Sequence, residues 1–139
     1  MGLSQLRCLP DFLVARRRTA GVYDELLAEN GSFHPIRDGG VPAYWRYLAM
    51  PEHPIDRTAL KSALEEEGIA IDWPYDPPLH LQPVFQRLLG SEPGMLPHSE
   101  QMMSRHISLP MHAMLREEDA RYVVERLVWH TSRLRARAC

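Results

Sequence analysis

Seven histidines, at positions 34, 53, 80, 98, 106, 112 and 130, are the side chains of this sequence best suited to moving a proton near neutrality or to holding a metal. No pair has HExxH spacing or stands beside a second ligand at the helical interval, so no metal centre is expected. His98 and Glu100 open the segment LPHSEQ. There they read either as a first-turn acid complementing a helix dipole or as a general acid/base pair. Ser4, Ser99 and Ser108 lack a nucleophile-elbow context, and GxSxG, Walker and GxGxxG patterns are missing, which removes hydrolase, nucleotidase and dehydrogenase readings by motif. Cys8 and Cys139 lie near opposite termini without CxxC spacing and follow no secretory signal, so a reducing cytoplasm is the expectation.

These residues sit in a chain of 139 residues, 45% apolar and 24% charged, long enough to bury one core. A formal charge of -2 and a mean hydropathy of -0.33 give no overall pull toward nucleic acid or anionic membrane, so neither partner is expected. Arg16, Arg17 and Arg18 form one basic run, and Arg133, Arg135 and Arg137 another near the C-terminus. Both read first as solvated helix faces, with a phosphate site as the lesser reading. The apolar stretches are too short for a membrane-spanning helix.

The elements that must position these groups follow from periodicity and punctuation. Residues 11 to 29 carry Phe12, Ala15, Thr19, Val22 and Leu26 on one stripe, a helix closed by Asn30-Gly31. Val41 to Met50 alternates with aromatics and reads as one strand. Asp56 is a good N-cap for RTALKSALEEEG, where Leu60 and Leu64 repeat at four residues and Gly68 can end the turn. Ile69 to Trp73, rich in β-branched residues between Gly68 and Pro74, reads as a second strand. Pro74, Pro77, Pro78 and Pro83 then enforce an irregular, rigid loop. Short helices follow at 83–89, ending at Gly90, and from Pro97 through Arg105. Ile107 to Leu109 reads as a third strand. A terminal amphipathic helix runs from about 116 to 134, its start favoured by Glu117, Glu118 and Asp119 and its stripe supplied by Val123, Val124, Leu127 and Leu134. Strands interleaved with helices, without a βαβ period, predict one α+β unit over 1–139 with helices covering one face of a small mixed or antiparallel sheet.

Arg16-Arg17 with Tyr23, then IDRTALKSALEEEGI, YDPPLHLQPVF, LPHSEQ and SLPMHAMLREEDARYVVERL occur in this order across nearly the whole chain. Together they resemble the small C-terminal domain of the DegT/DnrJ/EryC1/StrS aminotransferases, enzymes that act on keto-sugars and related polyols. The resemblance implies the C-terminal domain fold of fold-type I aminotransferases. It also implies that the aldimine lysine, the ring-stacking aromatic, the acid facing the pyridine nitrogen and the phosphate-binding residues belong to an upstream large domain. Lys61, the one lysine present, stands in a capped helix followed by glutamates and reads as solvated rather than as a Schiff-base amine. No covalently held pyridoxal phosphate, and no other cofactor, is therefore expected here.

By the same resemblance the Pro-rich loop supplies substrate contacts, which makes Tyr75, His80 and Gln82 the expected ligand-binding residues. A phenol, an imidazole and an amide all exchange hydrogen bonds with hydroxyls; the competing reading has His80 and Gln82 satisfy loop backbone groups. If the chain catalyses, His80 is the expected proton-transfer group with Glu100 as its orienter. His112, in the family's SLP-H pattern, reads as architectural. Met95, Met102, Met103, Met111 and Met114 read as adaptable core, while loss of a large-domain neighbour predicts exposed apolar surface.

Two functions follow. One is a self-contained unit with its own Met1, independent of pyridoxal phosphate and repurposed in bacterial natural-product or sugar biosynthesis to bind or transform a small polar metabolite, as a homo-oligomer. The other is a noncatalytic subunit that completes a split aminotransferase beside a large-domain partner, or a fragment of such an enzyme. In neither can the chain transaminate alone.

Overall fold

A computed structural model describes residues 2–37 and 39–138, with backbone only for 137 and 138. Met1, Cys139 and the Arg137 side chain lie outside the described residues.

The terminators written into the sequence act where they stand. Asp56 accepts the Ala59 N–H at 3.0 Å and starts α3 (Arg57–Glu65), which buries Leu60 and Leu64. Gly31, at φ 63, closes α2 (Leu9–Asn30) by donating its N–H to the Leu27 carbonyl. Prolines open α4 (Pro83–Leu89) and α5 (Pro97–Arg105), where the missing N–H costs nothing. A short α1 (Gly2–Arg7), not anticipated, precedes α2, and α6 (Glu117–Ala138) ends the described chain.

β1 (Phe33–Pro35), β2 (Tyr47–Pro51) and β3 (Ile107–Leu109) form an antiparallel sheet in the order β1-β2-β3. Two strand expectations change. The segment from Val41 does not join the ladder until Tyr47, because Tyr44 takes a left-handed φ of 46 that interrupts the pleat. Ile69 to Trp73 contributes only an antiparallel bridge between Asp72 and Ser108, while Ile69 and Ile71 still enter the core.

The core lies between one sheet face and helices α2, α3 and α6, where Tyr23, Leu27, Tyr47, Ala49, Ile107 and Leu127 are all buried. The burial stripe of α2 is confined to its C-terminal half, from Thr19 to Leu27, and Val14 is exposed. Leu3, Leu6 and Leu9 are exposed as well, so the apolar surface expected at the N-terminal end is present. The methionines are less buried than expected: Met95 and Met114 are exposed, and Met102, Met103 and Met111 half-buried.

α6 is tied to the end of α3 by one carboxylate. Glu67 accepts from Arg126 through both oxygens and from His130 Nε2 at 3.0 Å. These contacts, chiefly those of Arg126, hold the Glu67 carboxyl at about 2, well below its ordinary 4.5. A carboxyl depressed by folding adds stability above its unfolded value, and that stability disappears as pH falls through the folded one. Glu67→Gln is therefore expected to melt below the parent at neutral pH, with the gap closing between pH 4.5 and about 2. Calorimetry across that range checks it, and a pH-independent gap would refute the linkage.

Candidate functional site

The Pro-rich segment is rigid for reasons beyond its prolines. Tyr75 is held at φ 64, the Asp76-Pro77 peptide is cis, and Leu79–Leu81 forms a single 3-10 turn. Arg57, on the first turn of α3, reaches across to fasten it. Its guanidinium bonds Asp76, donates to the carbonyls of Met103 at 3.0 Å and His106 at 3.1 Å, and stacks 4.7 Å from the centre of Trp73. One side chain therefore ties α3, the loop and the end of α5 together. Sequence reading overlooked it, since nothing in its local spacing marks Arg57 as a latch.

Beyond the latch, His80 and Glu100 meet, with Nε2 and Oε1 3.0 Å apart and both side chains largely shielded. Glu100 also accepts the Gly94 N–H on both oxygens at 2.9 Å and the Leu96 N–H at 3.2 Å. The Gly94 bond, then that of His80, draws its carboxyl below the usual range. An ionised carboxylate only accepts, so His80 Nε2 carries the hydrogen of this bond, and Nδ1 has no partner among the described residues. Glu100 thus both closes the 94–96 turn and orients His80.

His80 and Tyr75 line a mostly apolar cleft of about 430 Å³ together with Leu79, Phe85, Ser99 and Met103. Glu100 stands behind His80. Gln82 donates its amide to the Pro77 carbonyl at 2.7 Å, inside the loop. His98 is exposed on the first turn of α5. The lining by Phe85 and Met103 was not legible in the sequence, where Met103 read as adaptable core and Phe85 was marked by no motif.

The amine chemistry of the enzymes resembled above has no seat among these groups. Lys61 is half-exposed, pairs with Glu65 at 3.7 Å one turn away, and lies 5.6 Å from the centre of Trp73, the geometry of a surface lysine. A Schiff-base lysine is held deprotonated chiefly by burial, whereas Lys61 is half-exposed and paired with the Glu65 carboxylate, so the residues present do not fit pyridoxal phosphate. Among the described residues, no three His, Cys, Asp or Glu gather closely enough to hold a metal ion, and no helix is long and apolar enough to cross a membrane.

The model of the DegT/DnrJ/EryC1/StrS aminotransferase family matches residues 1–128. The chain belongs to this family. It is 34% identical over 131 residues to the dTDP-4-dehydro-2,3,6-trideoxy-D-glucose 4-aminotransferase of Saccharopolyspora spinosa, covering 90% of this chain and 31% of that enzyme. It is 38% identical over 115 residues to the pleiotropic regulatory protein of Geobacillus stearothermophilus, covering 81% of this chain and 30% of the other. A solved DegT/DnrJ/EryC1/StrS aminotransferase from Brucella abortus superposes with a TM-score of 0.77 at 34% identity, over 93% of this chain and 34% of that one. The chain therefore spans about a third of the length of the DegT-family relatives it matches.

Proposed function

We propose that this chain is the substrate-covering C-terminal unit of a sugar aminotransferase, completing an active site whose cofactor is held by a large domain on the same or a separate polypeptide. The observation that carries this is the fastened Pro-rich loop, which presents Tyr75 and an oriented His80 at the mouth of one cleft. Its aromatic and apolar lining suits a deoxygenated sugar ring, and the His80 imidazole and Tyr75 phenol suit its remaining hydroxyls. The exposed apolar residues Leu3, Leu6 and Val14 fit a face that packs against a neighbour, whether a large domain or a second copy. Cys8, an exposed free thiol, suits a reducing cytoplasm.

The test mixes the chain with a family large domain truncated of its own C-terminal unit and loaded with pyridoxal phosphate, and measures amino transfer to a nucleotide-linked keto-sugar. The chain alone is expected to be inactive, and its addition to raise turnover. His80→Ala should remove most of that gain, about tenfold or more, the scale of one lost hydrogen bond to substrate. Absence of both association and gain would overturn the reading.

A second reading has the His80–Glu100 pair in its favour: a self-sufficient unit, independent of pyridoxal phosphate, that turns over a small polar metabolite with His80 Nδ1 as base. Turnover of a sugar or polyol by the chain alone, lost in His80→Ala, would replace the first reading with this one.

A further inference from the structure

The chain divides into an arm and a body. No residue of α1 is buried, and none of α2 before Thr19, so residues 2–18 stand outside the core. On this arm Leu3 is 77% exposed and Leu6, on the same face one turn later, 63%. A helix as short as α1 gains little from propensity alone and is stabilised chiefly by a surface to lie on. Among the described residues of the body, exposed apolar side chains crowd one segment. Tyr75, Leu79, Leu89 and Leu96 are half-exposed or more and line the His80 cleft, and Leu88 and Met95 stand exposed next to them in the chain. The cleft offers a polar ligand little to bond, and Glu100 already engages His80. No residue of α1 or α2 lines it, so the arm does not cover it within one copy. Monomers rarely leave two such apolar surfaces to water.

Charge selects how the two surfaces pair. Arg7, Arg16, Arg17 and Arg18 against Asp11 leave the arm three net positive charges, and the chain total of -2 then leaves the rest five net negative ones. Two arms laid side by side would therefore repel. On the segment 75–104, Asp76, Glu92 and Glu100 outnumber Arg87. Arg57 answers Asp76, and His80 with the 94–96 backbone answers Glu100. Glu92, like Arg7 on the arm, is exposed and has no ion-pair partner among the described residues. Arm against cleft is thus the complementary pairing.

We infer that two copies of this chain exchange arms, each seating Leu3 and Leu6 in the partner copy's cleft between the Pro-rich loop, α4 and α5. Apolar anchors one turn apart on a helix, laid in an apolar groove, are a recurring mode of recognition. A reciprocal exchange about a two-fold axis closes at two copies instead of running on into a filament. With roughly 100 Å² for each exposed apolar side chain, the arm leucines and the cleft rim, met twice, come to on the order of 1,500 Å², enough for a specific interface. An arm seated there covers Tyr75 and His80, so the exchanged pair is a closed form of the cleft. This pairing goes beyond the substrate-covering role and stands whether or not that role holds.

The test places a nitroxide on Cys8, exposed directly after α1, in copies of the 139-residue chain carrying Cys139→Ser, and mixes them with isotope-labelled chain. Intermolecular broadening centred on the amides of Tyr75, Leu79, Leu89 and Leu96 is expected. Sedimentation equilibrium should show monomer and dimer exchanging with a Kd of about 10–100 μM. Leu3→Glu combined with Leu6→Glu should weaken this about tenfold or more, and so should Leu89→Arg in the cleft. Mixing those two variants should restore part of the association, because one of the two contacts then sets Glu against Arg. Val41→Glu, exposed but on neither surface, should change nothing. The substituted side chains are exposed enough for the variants to fold, which their melting temperatures check. The inference is overturned by a chain that stays monomeric up to about 1 mM, by broadening that falls on α1 and α2 and so reports arms pairing with each other, or by an arm double variant that associates as tightly as the parent.

Discussion

Arg57→Ala is expected to lower the melting temperature by roughly 10 °C and to release the Pro-rich loop from the body of the protein. The substitution removes charge-assisted bonds to Asp76 and to the carbonyls of Met103 and His106, and the stacking on Trp73. Arg57 is 14% exposed, so those carbonyls have little water to turn to. Hydrogen bonds to a charged group and acceptors left unpaired together cost about 2–4 kcal/mol. Because the same guanidinium holds three elements, the loss should be local as well as global. Amide exchange from 75 to 82 should quicken more than exchange in α2, and any activity that needs Tyr75 and His80 should fall with it. Arg57→Lys keeps the charge but not the fork, and should recover less than half of the loss. An unchanged melting temperature together with unchanged exchange in the loop would show that the latch is ornamental.

Tyr47→Ala is expected to cost about 3–5 kcal/mol, a large share of the stability of a domain this size. Tyr47 is 2% exposed on the central strand, its ring 4.8 Å from that of Tyr23 and its hydroxyl donating to Asp24 at 2.7 Å. Burial, then the bond to Asp24, raises the phenol above its ordinary value, so it remains a donor at every accessible pH. Alanine leaves a cavity between the sheet and α2 and strips a partner from Asp24, which also pairs with Arg37 at 2.7 Å. Tyr47→Phe keeps the ring and should cost only about 1 kcal/mol, the scale of one hydrogen bond. Urea unfolding of both variants separates the contributions. A Phe variant as unstable as the Ala variant would assign the effect to the hydroxyl rather than to packing.

The sequence by itself determined the local chemistry of this chain and its family. Asp56, Gly31, Gly90 and the prolines at 83 and 97 bound their helices because a cap acts within one turn of its own residue. The ordered segments from Arg16 to Leu127 carried the resemblance that the family model bears out. Tertiary structure decided what depends on residues far apart in the chain. β1 is three residues long, too short for a period, and exists because Phe33 to Pro35 pairs with Ala49 to Pro51. β2 begins at Tyr47 rather than near 41 because Tyr44 turns left-handed, which alternation cannot reveal. The sheet is antiparallel through a register between β2 and β3 spanning more than fifty residues. His80 and Glu100 were named from residue type and loop context, but their contact is made by a loop fastened through Arg57, a residue no motif marked. Propensity and capping operate over about four residues and leave a trace in the string, whereas a site is a set of distances closed by packing and leaves none.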